Sequence, residues 1–131
     1  MHLLGWLVAA AVFGKVDGTA RDLALLYPPV ESGVECRLAP IASMAGTADY
    51  PDRPRQLGMS VDGVADLDRV GRPQLVAEAV SWGMPHSIAT DAVDDLLEQL
   101  ESAIEGAREV ADPGDEVVSA CRTRLAALVS G

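Results

Sequence analysis

The chain opens with an apolar run from Leu3 to Phe13, eleven residues without a charge. A helix apolar on every side belongs inside a larger fold, so residues 2–13 are expected as a buried helix that begins partway into such a fold, stopped by Gly14. The run is too short to span a bilayer, which takes about 20 residues. No Lys or Arg precedes it and no convincing small-x-small cleavage site follows, so it does not read as a signal peptide. Residues 14–22 then form a polar loop with two glycines. Leu23 to Tyr27 is a short apolar run halted by Pro28-Pro29, and Val34 to Ala39 alternates moderately. Together they predict a hairpin over 23–39 with a loose connection, ended by Pro40. Residues 44–66 are rich in Gly, Pro, Asp and Arg and show no sustained period. With Pro51 and Pro54 inside, they read as a long ordered loop, or one that packs on a partner.

Helical spacing returns at Arg72–Trp82, where Leu75, Ala79 and Trp82 share a face, Gly83 is the stop and Trp82 the expected anchor. Thr90 is the expected N-cap of a longer helix, with Asp91 and Asp94 in its first turn and Val93, Leu96, Leu97, Leu100, Ile104 and Ala107 along one side. Asp112-Pro113 starts a last helix, whose stripe is Val117, Val118, Cys121, Leu125 and Leu128. The expected fold class is α+β, mainly helical, with one β-hairpin. Helix 2–13 packs with the C-terminal helices, and hairpin 23–39 presents loop 14–22 at one edge. The expected core is Leu4, Leu7, Val12, Leu25, Leu38, Leu75, Val76, Leu96, Leu97, Leu100, Ile104, Leu125 and Leu128, with Trp6 in the first helix.

Composition narrows the function classes. A length of 131 residues and 49% hydrophobic residues fit one small domain over 1–131, while 4% aromatics leave the core to Ala, Val, Leu and Ile. The net charge is −10, and the imbalance lies mostly in residues 84–131, with ten acids against three bases. That argues against direct nucleic-acid binding and against an anionic membrane surface. The acidic third reads first as a solvated helical face and second as a surface for a basic partner. Cys36 and Cys121 form no CxxC pair, and His2 and His86 are the only histidines, which argues against zinc. The thiols read as reduced and the location as cytoplasmic.

The candidate chemistry is sparse. No GxxxxGK[ST] or GxGxxG phosphate loop is present. His2 and His86 stand in contexts unsuited to a nucleophilic triad; His86 reads as a surface residue in a helix-linking turn. One acid pair has a better setting: Asp17 and Asp22, five apart, in a glycine-bearing loop between a buried helix and a hairpin. Protein kinases space a catalytic Asp and a metal-binding Asn in this way. Two turn-forming aspartates that cap local amides give the same spacing.

Read together, Gly14-Lys-Val-Asp-Gly-Thr-Ala-Arg-Asp22, Leu25-Leu26-Tyr27, Leu38-Ala39-Pro40 and Leu57-Gly58-Met59-Ser60-Val61-Asp62-Gly63 resemble the HipA family, serine/threonine kinase toxins of bacterial toxin–antitoxin systems. The family's catalytic loop runs G-N-x-D-A-H-x-K-N and is followed by S-L-L-Y. Then come L-A-P-x-Y-D, a Y-P segment leading to L-A-M-x-I-G-G, and a helix with a Trp-Gly-like end, matched here by Asp68 to Gly83-Met84. The order holds over residues 3 to about 84.

The resemblance implies a fragment of a kinase-like C-terminal lobe, with 1–43 as catalytic-loop and hairpin region, 44–70 as long loop and 71–131 as helical region. It implies Asp17 as the catalytic aspartate, Asp22 in place of the metal-binding Asn, and Mg²⁺ and ATP as cofactors. Thr19 stands for the family's His, Arg21 for its Lys and Lys15 for its Asn. Ser43 stands for the aspartate that chelates Mg²⁺ at the phosphates and is a poor ligand; Asp49 or Asp52 is the nearest substitute. In the family the nucleotide lobe precedes the catalytic loop, and here 16 residues precede Asp17. The expectation is a degenerate kinase lobe, a pseudokinase that transfers no phosphate alone. The alternatives are an interaction module that binds an antitoxin-like protein or a separately encoded nucleotide lobe, and a split kinase completed in trans.

Overall fold

The computed structural model describes residues 2–41, 44–48, 50, 52, 54–110 and 116–130. Four helices are α1 (His2–Phe13), α2 (Arg72–Ser81), α3 (His86–Val110) and α4 (Glu116–Ser130). Four short strands form two antiparallel pairs: β1 (Leu25–Leu26) with β2 (Arg37–Leu38), and β3 (Gln56–Val61) with β4 (Val64–Asp66). The fold is mainly helical, as the patterning predicts.

The first helix is central. It packs against α2, α3 and α4, and Leu4, Trp6, Val8 and Ala9 to Val12 are all buried. Its lack of a polar face is explained by neighbours on every side. One buried cluster runs through all four helices, including Leu4, Val8, Leu75, Val93, Ile104, Cys121, Leu125 and Leu128. The second is small: Val16, Ala48 and Leu67, with Leu57 against them. It seats the loop that follows α1.

Several expectations are corrected. Residues 44–66 are not all loop, and the described residues form two hairpins rather than one. Asp62 and Gly63 both have positive φ, 49° and 75°, and they connect the paired Val61 and Val64. This is the Asp-Gly two-residue turn whose twist matches antiparallel strands. The β1–β2 hairpin does form, with Leu25 opposite Leu38. It stands proud of the core, however, and Leu25 is 50% exposed. The third helix begins at His86, not Thr90. The Thr90 hydroxyl donates to the His86 carbonyl at 2.9 Å, within the helix, and the Ala89 amide donates to Pro85. Trp82 is 42% exposed, its indole N–H donating to Glu78. Val117 is exposed as well. The Asp112-Pro113 start lies outside the described residues. Cys36 is exposed and Cys121 buried, and the two form no disulfide with each other. No helix among the described residues is long and apolar enough to cross a membrane.

Arg72 at the start of α2 grips Asp94 of α3, its Nε and Nη2 donating at 2.6 and 2.7 Å to the two carboxylate oxygens. Those bonds hold the Asp94 carboxyl below its ordinary value and raise the Arg72 guanidinium. A carboxyl lowered on folding stabilises the fold above the ordinary value of about 4, and that contribution is lost as pH falls through the folded value. Both side chains are partly solvated, so the effect is small. Asp94→Asn is expected to flatten the stability–pH curve below about pH 4, read as the thermal midpoint between neutral and acid pH.

Candidate functional site

The loop after α1 turns on Gly14, at φ 68°. Its carbonyl accepts from the amides of Thr47 and Ala48 at 3.0 and 2.9 Å, drawing a distant segment across the loop. The other wall is β3. The Gly58 amide donates to the Val16 carbonyl at 2.7 Å. A Cβ at Gly58 would lie 2.9 Å from the Gly18 carbonyl, so this close approach requires glycine. The loop is therefore seated by the 56–66 hairpin and the Thr47 segment, and not by hairpin 23–39 as expected. Arg124 of α4 closes the C-terminal end of α1. Its Nε donates to the Val12 carbonyl at 2.7 Å and its Nη2 to Phe13 at 3.0 Å, satisfying carbonyls that a helix end leaves open.

Asp17 emerges from this frame with its side chain 54% exposed. One of its oxygens, Oδ1, accepts from Lys15 Nζ at 3.2 Å and from the Thr47 hydroxyl at 3.3 Å. Thr47 Oγ1 in turn accepts from the Val16 amide at 3.1 Å. Asp22 caps a single 3₁₀ turn over Ala20–Asp22. Its Oδ2 accepts from the Thr19 amide at 2.8 Å, while the Thr19 hydroxyl accepts from the Arg21 amide. This reciprocal cap satisfies two amides locally. Asp22 thus does what the turn-forming alternative expects, and its other oxygen lies 3.8 Å from Lys15 Nζ. Asp17 and Asp22 are brought together around the ammonium of Lys15. Ser43 and Asp49 lie outside the described residues, and Asp52 is exposed. Among the described residues no group of three metal-ligating side chains gathers. The residues that sequence reasoning missed are Thr47 and Arg124. Neither sits in a motif, and nothing in the local sequence signals a contact to residues about 30 and 110 positions away.

On the other side of Asp22 a groove of about 610 Å³ runs beside the β1–β2 hairpin, lined by Trp6, Leu23, Leu26, Leu38, Ile41 and Leu96 among others. Trp6 is buried, and its indole N–H has no hydrogen-bond partner among the described residues.

No protein-family model matches the chain, and no curated protein does. Among solved structures the chain is similar to HipA in the complex of the Shewanella oneidensis MR-1 toxin–antitoxin system HipA, HipB and its operator DNA, with a TM-score of 0.72 and 19% identity. The fold is HipA-like. The superposition covers 98% of this chain and 29% of that chain, so the chain spans less than a third of the HipA length. A likeness at this identity concerns architecture alone.

Proposed function

We propose that the chain is a HipA-like kinase lobe portion that transfers no phosphate by itself. The observation that carries the reading is the placement of Asp17. It stands exposed on a loop that follows the central buried helix of a HipA-like fold, where the loop motif resembles a kinase catalytic loop. Degeneracy is supported by the donor set. Mg²⁺ wants a near-octahedral shell of free oxygens at about 2.1 Å. Here one Asp22 oxygen is held by a backbone amide, and the Oδ1 atoms of Asp17 and Asp22 both face an ammonium. These residues do not fit the metal, and no step is assigned to it. Phosphoryl transfer depends on positioning and charge neutralisation, and Asp17 alone supplies neither. Incubation of the purified chain with γ-labelled ATP and Mg²⁺ is expected to give no more labelling than Asp17→Ala gives. Transfer that Asp17→Ala abolishes would overturn the reading.

The exposed apolar side of the β1–β2 hairpin favours a second reading, an interaction module. Leu25, Leu26, Tyr27 and Ile41 are all exposed, Leu26 and Ile41 lining the groove, and contiguous exposed apolar surface marks contact sites. The occupant would be an antitoxin-like protein, as HipB accompanies HipA in the neighbour's complex, or a separate nucleotide lobe. Light scattering tests this cheaply: a dimer or larger species supports a partner-seeking surface, and a clean monomer weakens it. The split kinase is tested by adding a nucleotide lobe in trans to the Ser43→Asp variant.

A further inference from the structure

Lys15 is the only lysine in the sequence. Among the described residues it is also the only buried charged side chain, 5% exposed. Burying an ammonium is costly unless opposite charge and hydrogen bonds accompany it. The compensation here is Asp17 at 3.2 Å and Asp22 at 3.8 Å, both through Oδ1. The two carboxylates approach the ammonium from opposite ends of one loop, and each is fixed independently: Asp17 by Thr47, Asp22 by the Thr19 amide. With Trp6, Leu7, Leu57 and Met59, Lys15 lines a narrow apolar cleft.

We propose that the Lys15 ammonium is the resident cation of this loop. It draws Asp17 and Asp22 together, and the pair takes up no divalent ion while the ammonium is there. The inference stands on loop geometry and holds whether or not the chain is a kinase relative. Its basis is electrostatic. A divalent ion reaching both Oδ1 atoms would sit beside a positive charge, and like charges at such short range repel each other.

Mn²⁺ titration followed by electron paramagnetic resonance of the free ion tests this. The set is wild type, Lys15→Met, the double variant Asp17→Asn/Asp22→Asn, and the triple combination. Asn keeps the oxygen that caps Thr19. Wild type and the double variant are expected to give the same Mn²⁺ isotherm. Lys15→Met is expected to bind at least about tenfold more tightly than wild type, and the triple variant to lose that gain. Wild-type binding that falls about tenfold in the double variant would overturn the proposal, as would a folded Lys15→Met with no gain. If Lys15→Met does not fold, the wild-type against double-variant comparison decides alone. Phosphate transfer bears on the kinase reading and leaves this result untouched.

Discussion

Replacing Leu75 by alanine is expected to destabilise the chain by about 2–5 kcal/mol, the range for emptying a leucine site in a packed core. Leu75 is fully buried and belongs to the cluster that unites all four helices. Its removal takes away apolar burial and leaves a void that α1, α2 and α3 cannot close without shifting together. For a chain of this size the thermal midpoint should fall by ~10 °C or more. Leu25→Ala is the contrasting variant. Both leucines lie in apolar runs, but Leu25 is half-exposed on β1, so its loss should cost under about 1 kcal/mol. Equal effects at the two positions, measured by thermal or urea unfolding, would contradict the placement of the hairpin outside the core.

Gly14→Ala is the second large effect, and it falls on the site. A non-glycine residue at φ 68° costs about 1–2 kcal/mol. The new Cβ would also stand 2.8 Å from Arg124 Cζ and 2.9 Å from Ala48 Cβ. Arg124 has no easy retreat, because Val12 and Phe13 hold its guanidinium. The crowding adds about 1–3 kcal/mol. The structural consequence is specific: the Gly14 carbonyl holds Thr47 and Ala48, and Thr47 holds Asp17. Hydrogen exchange should show lost protection at the Thr47, Ala48 and Gly58 amides, while the α3 amides stay protected until global unfolding. Gly33→Ala is the control. It has φ 64° with nothing within 4 Å, so the excess cost at Gly14 isolates the crowding. Equal costs and unchanged exchange would show that the loop is not tied at Gly14.

These two positions mark the divide between what is local and what is not. The uniform apolarity of residues 3–13 already requires a helix with neighbours all round, since no partly solvated helix tolerates such a sequence. The 3.6-residue stripe from Val93 to Ile104 and the pair Asp17 and Asp22 are equally local facts. The Asp62-Gly63 turn was legible too, but the glycine- and proline-rich residues around it masked the strand alternation on either side. The helix boundary at Thr90 misled for a related reason: a threonine can cap a helix start or bond back to the carbonyl four residues earlier inside one, and only the chain before it decides.

The sequence by itself determined the mainly helical class, the burial of α1 and the motif loop that places two acids five residues apart. The tertiary structure decided what that loop does. Whether Lys15 points to water or between two carboxylates depends on the walls that β3 and the Thr47 segment build around it. Those walls come from residues 30 to 45 positions away. Arg124, more than 100 residues distant, fixes the end of α1. Short-range propensity carries no information about such closures, because their free energy comes from surfaces that meet only after the chain has folded.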